Sequence, residues 1–188
     1  MLADKSYNCR AAISEWLSWP TGTSVEKHTK FFSEKYHLKN ILGVVDGTHI
    51  PIERPACAVH EHAYVNRKHF HSLNAQIICG ANFEILHVDV SSVGSTHDAR
   101  VWDESDAPRL IQESKLSLLG DSAYPCRWFL LTPFDSIMRD RLDDRQQTFQ
   151  RRVLAARQNI EQTIGILKQR FNILLRPARY SLAKVPRV

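Results

Sequence analysis

The chain has 188 residues, 43% hydrophobic and 24% charged, with only seven glycines and eight prolines. That length suits one domain with a proper core, and the composition excludes extended disorder. Net charge is +5 with a pI near 9.1, and no apolar run reaches the roughly 18 residues that a membrane span needs.

The N-terminal stretch is charged at Asp4 and Lys5 and lacks the apolar core of a secretory signal. Cys9, Cys57, Cys79 and Cys126 contain no C-x-x-C pair, so reduced thiols in an intracellular compartment are expected. In chain order, residues 9–18 read as a short helix ended by W-P-T-G. Residues 41–45, I-L-G-V-V, read as a strand that stops at Asp46, where Gly47 lets the backbone turn away. N-A-Q-I-I-C-G and E-I-L-H-V-D-V are β-rich runs separated by the turn-like G-A-N, a hairpin signal. Residues 97–114 read as helix, broken near Pro108. L-S-L-L-G-D repeats the earlier pattern, an apolar run followed by Asp121. W-F-L-L-T-P-F reads as a last short strand, and a long helix follows from about Arg151 to Asn172. This order predicts a mixed α/β fold, a central sheet covered by helices.

Two aspartates at the ends of apolar strands invite two readings. An Asp there often caps a turn, yet strand ends are also where buried sheets present functional groups. The long helix supplies a third acid. At about 100° per residue, Val153, Ala156, Ile164, Leu167 and Phe171 fall within about 40° of Ile160 and form the core stripe. Arg157, Glu161 and Lys168 form a column along its edge. Glu161 then either pairs with Arg157 across one helical turn or joins Asp46 and Asp121 as a third carboxylate. Three gathered carboxylates repel one another, so a hard cation, Mg²⁺ or Mn²⁺, is their natural partner. Two such ions activate a hydroxyl for attack at phosphorus. From Arg139 to Arg179, ten Arg and Lys stand against four Asp and Glu. That segment suits a nucleic-acid backbone, with a solvated helical face as the plainer alternative.

The blocks G-V-V-D-G-T-H-I-P-I, Y-V-N-R-K-H-F-H-S-L-N-A-Q, G-S-T-H-D-A-R-V, G-D-S-A-Y-P, L-L-T-P-F and R-Q-N-I-E-Q-T-I-G-I-L-K-Q-R-F resemble, in this order, the Harbinger transposase-derived nucleases. That family belongs to the DDE superfamily with an RNase H-like fold. The resemblance covers residues 40–175, a DDE nuclease domain between a short helical segment (1–39) and a tail (176–188). It implies a catalytic, metal-binding triad of Asp46, Asp121 and Glu161, a divalent cofactor, and cutting of DNA phosphodiesters. It also implies a Myb-like DNA-binding partner protein and a nuclear location, with the cytoplasm as an alternative. His69, Val93 and Ala123 depart from the family's usual Gly, Pro and Gly, and Gln150 from its usual Asn. Both ends look curtailed beside the family pattern, which carries an N-terminal helix-turn-helix region and a further C-terminal helix.

Around the triad, His97, Asp98, Arg157 and Lys168 are candidates for a supporting role, and Asp98 is also expected to cap the helix it opens. Arg67, Lys68, Arg151, Arg152, Lys168 and Arg170 are candidate phosphate contacts. Cys57, His60, His62, His69 and His71 crowd one stretch, where a zinc or copper site competes with plain polar loop residues. Trp102 and Trp128 read as core rather than as base-stacking platforms, and Tyr124, close after the second aspartate, is weighed as a DNA contact. The rival function is a catalytically inactive, domesticated DNA- or protein-binding module of the same fold.

Overall fold

The computed structural model describes residues 17–55, 58–135 and 141–177. Most of the helix expected over residues 9–18, and Cys57, lie outside them. Helix α1 (Thr23–Tyr36) leads into strand β1 (Ile41–Pro51). Strands β2 (Ser72–Cys79) and β3 (Ile85–Val93) follow, then helices α2 (Asp98–Glu104) and α3 (Ala107–Ser114). Short strands β4 (Ser117–Leu119) and β5 (Leu130–Leu131) precede the long helix α4 (Asp144–Arg170). The sheet order is β3-β2-β1-β4-β5. The first three strands are antiparallel neighbours, and β4 and β5 run parallel to β1. This is the mixed sheet, flanked by helices, that the resemblance implied.

Burial on both faces explains the unbroken apolar run of β1. Val44 packs with Phe32, Leu119, Val153, Ala156 and Ile160 on the side of α1 and α4. Val45 packs with Leu118, Trp102, Ile111 and Tyr124 on the side of α2 and α3. β2 is buried along its whole length, and it places Ser72, Asn74 and Gln76 at alternate positions. All three are buried, so they need internal partners.

Several expectations are corrected. β1 does not stop at Asp46; it continues to Pro51 while paired with β2, opposite Ile77 at Asp46. What ends near Asp46 is β4, whose last partner on β1 is Val44. α1 was not foreseen, and α4 starts at Asp144, well before Arg151. The last strand is only two residues long. Trp102 is core at 1% exposure, but Trp128 is 59% exposed. Its carbonyl accepts from Ser117 Oγ, at the end of β4 away from Asp121. Phe171, placed on the apolar stripe of α4 by its angle, is exposed because the helix has ended.

Candidate active site

The register of two parallel strands brings the aspartates together. Val44 is paired with Leu119, and both face α4 in one core cluster. Asp46 and Asp121 each lie two residues beyond that last pair, near enough for the charge of Asp121 to act on Asp46. Asp46 accepts from the Gly47 N–H over 2.9 Å and, more loosely, from Arg157 Nη2 over 3.5 Å. Asp121 accepts from the Ala123 N–H over 2.9 Å, which fixes a tight turn.

Burial dominates the electrostatics of Asp46. It pushes the carboxyl from 3.8 up to about 6, against the pull of Arg157 and the Gly47 N–H and with a further push from Asp121 and Asp98. A long contact to one guanidinium does not offset the loss of water.

Asp98 is the third carboxylate in this neighbourhood. It does not cap α2: the N-cap is His97, without a side-chain cap bond. Asp98 Oδ1 instead accepts from Asn74 Nδ2 over 2.8 Å. It lies so close to β1 that a Cβ at position 47 would meet it at 2.4 Å. Gly47 therefore serves a close approach, not a turn. Its neighbour His97 is exposed.

Glu161 stands apart from this group. It is exposed on α4, one turn beyond Arg157, and the expected Arg157–Glu161 pair is replaced by Arg157–Asp46. Among the described residues, no three or more His, Cys, Asp or Glu side chains gather closely enough to hold an ion. That statement also covers His60, His62, His69 and His71. His71 instead meets Glu61 at 2.8 Å, and Glu61 also accepts from Arg54.

The carboxylates present still suit a cation. They are oxygen donors only, the class that hard ions prefer. Mg²⁺ in particular is often held by one or two carboxylates with substrate oxygens completing its shell. A pair of carboxylates just past the last rung between β1 and β4 matches that habit, and the cost of keeping Asp46 ionised in a buried setting is what a cation would relieve.

A basic group borders the acids. Lys168 Nζ donates to the His49 carbonyl over 2.9 Å, and burial, then Lys68, lowers the pKa of Lys168. The His49 imidazole, bonded to Ser72 Oγ, is also lowered, by burial first. Arg67, Lys168 and Lys68 add to that lowering while Asp98 opposes it. Asn66 shapes the loop that presents Arg67 and Lys68, accepting from the Lys68 N–H and donating to Ser72 Oγ. Arg151, Arg152 and Arg170 are exposed along α4, and Arg152 donates to the carbonyl of His37.

Sequence reasoning missed Asn74, Ser72 and His49, although the alternation of polar residues in S-L-N-A-Q held a clue. Tyr124, weighed as a DNA contact, is buried at 4% exposure.

A family described as DDE superfamily endonuclease matches residues 45–188. "Putative nuclease HARBI1" of Xenopus laevis is 33% identical over 125 residues, 64% of this chain and 35% of that protein. The Bos taurus protein of the same name is 33% identical over 124 residues, with the same coverage. "Protein ALP1-like" of Arabidopsis thaliana is 25% identical over 174 residues, 84% of this chain and 42% of its own. The chain thus spans about a third of the length of the first two relatives. No solved structure matches it. With most of its length covered by that family and an aspartate just past the last rung of each of two parallel strands of a mixed sheet, the chain belongs to the DDE superfamily endonucleases.

Proposed function

We propose that the chain cuts phosphodiester bonds of DNA with the help of divalent ions held by Asp46 and Asp121. The observation that carries this reading is that Asp46 and Asp121 each lie two residues beyond the last β1–β4 pair, Val44–Leu119, and that the charge of Asp121 acts on Asp46. When bound, a pair of Mg²⁺ or Mn²⁺ ions supplies an activated nucleophile and neutralises charge on the leaving oxygen. The remaining work belongs to the chain's own residues. Glu161 approaches the pair from α4 as the third acid once its side chain turns inward. Arg157 holds Asp46 in place, and Asn74 holds Asp98. Lys168, Lys68 and Arg67 meet the phosphates flanking the scissile bond. Phosphate contacts of this kind are blind to sequence, so target choice belongs to a partner, for which a Myb-like protein in the nucleus is the family's suggestion.

The test is nicking of supercoiled plasmid in Mn²⁺, wild type beside Asp121→Asn. We expect nicking by the wild type and its loss, by at least about a hundredfold, in the variant. One observation favours a second reading, a module that binds DNA without cutting it: the exposed Glu161 lies outside the acidic group. Two folded, DNA-binding proteins that both fail to nick would decide for that module.

A further inference from the structure

The segment G-D-S-A-Y, residues 120–124, does more than deliver Asp121. Its turn is closed by the Asp121 carboxylate on the Ala123 N–H and by the Tyr124 N–H on the Asp121 carbonyl, at 3.3 Å. The turn folds the Tyr124 ring back against the strand end. There a Cβ at position 120 would come within 3.1 Å of the ring, so Gly120 leaves the space the ring needs. Trp102 meets the ring edge-on, with centroids 6.2 Å apart. The ring is thereby held, and Tyr124 is 4% exposed.

Its hydroxyl is buried and takes no hydrogen bond from any protein group. Leaving such a group unpaired costs about 1–3 kcal/mol, so a fold with a purely structural tyrosine here would do better with phenylalanine. Tyr124 is carried by the same turn as Asp121 and packs in the core with Val45 and Leu118 of β1 and β4, beside the strand ends that bear the acids. After burial itself, the charges that act on it most are Asp98, Asp46 and Asp121, all of which raise its pKa.

We propose that Tyr124 is a positioning residue of the acidic site, its hydroxyl donating to an oxygen held among Asp46, Asp98 and Asp121 when the site is loaded. This rests on the reading of Asp46 and Asp121 as cation ligands. Tyr124 packs on the α2 and α3 side of the sheet, whereas Arg157 reaches Asp46 from α4, so the two residues approach the acids from opposite faces.

The experiment is calorimetric titration of the full 188-residue chain with Mn²⁺ alone, for wild type, Tyr124→Phe, Gly120→Ala and Asp121→Asn, together with thermal midpoints of the metal-free proteins. Tyr124→Phe is expected to weaken Mn²⁺ affinity roughly tenfold while leaving the metal-free midpoint unchanged or raised. Gly120→Ala, which keeps the hydroxyl but pushes on its ring, is expected to weaken binding as well. A structural hydroxyl would behave in the opposite way. Equal Mn²⁺ affinity in wild type and Tyr124→Phe, with binding abolished by Asp121→Asn, overturns the role of Tyr124 and leaves the cation site standing. Absence of Mn²⁺ binding in the wild type, or binding that survives Asp121→Asn, overturns both.

Discussion

His28 is fully buried, and the Ala81 N–H donates to its Nδ1 over 2.9 Å. Nδ1 is therefore the acceptor, and the ring proton sits on Nε2, which faces Ser24 Oγ at 3.4 Å. A second proton would set two donors against each other. Burial holds the pKa of His28 below 6.5, Lys27 adding to the effect and Glu84 opposing it. The unfolded chain thus takes up a proton that the folded chain refuses. Stability from this group is complete above about pH 6.5 and is lost as pH falls through the folded pKa. Urea denaturation at about pH 7.5 and about pH 5.5 should show a larger loss for wild type than for His28→Gln, which keeps an acceptor but does not titrate. His69 carries a different burden. It has a φ of 64°, left-handed backbone that suits glycine, and glycine is what the family pattern has there. His69→Gly should therefore raise stability by roughly 0.5 kcal/mol in denaturant titrations. Ala123, which also replaces a glycine of the pattern, keeps a negative φ, so no such gain is expected from it. Gln150, in place of the usual Asn, bridges to the Phe134 N–H over 2.8 Å.

At the scale of elements, legibility followed local signals. The hairpin of β2 and β3 and the long helix were readable because their apolar residues recur with the right period. The true start of α4 was also available: Asp143 and Gln146 form a reciprocal capping box, and the D-x-x-Q spacing announces it. α1 offered no such marker. Its N-cap is Gly22 without a side-chain bond, and its C-cap is His37 in a left-handed conformation where glycine is usual. Its buried positions, His28 and Phe32, are spaced one turn apart, but a histidine does not read as core. The end of β1 was misread for the opposite reason. A charge and a glycine imitate a strand terminus, whereas here the strand continues past the point where β4 stops. Asp46 and Asp121 were legible as a pair because each follows an apolar run. Asp98 was legible as a supporting residue through its family block, whereas Asn74 and the buried hydroxyl of Tyr124 were not, because tertiary packing sets their proximity.

Lys168, Lys68 and Arg67 border the acids, while Arg151 and Arg170 mark out a run of α4 about 28 Å long, the length of about eight base pairs. DNA binding is expected to weaken with salt. Replacing Arg67 and Lys68 by Ala should lower the slope of log K against log salt by about 0.9 for each phosphate that is no longer neutralised. Asp46→Asn should leave the slope intact. Filter-binding or anisotropy titrations over a range of salt separate the two. Equal slopes for wild type and the Arg67, Lys68 double variant would remove that loop from the proposed interface.

Beyond Asp46, β1 has a strand partner on one side only, since β4 has ended. Among the described residues no strand pairs with its other edge, and such an edge is the kind to which a foreign strand can add. Lys168 Nζ closes part of that edge by donating to the His49 carbonyl. An ammonium has three N–H donors, so one guards the edge and two stay free for an anion. The same side chain can thus grip a phosphate without uncovering the sheet.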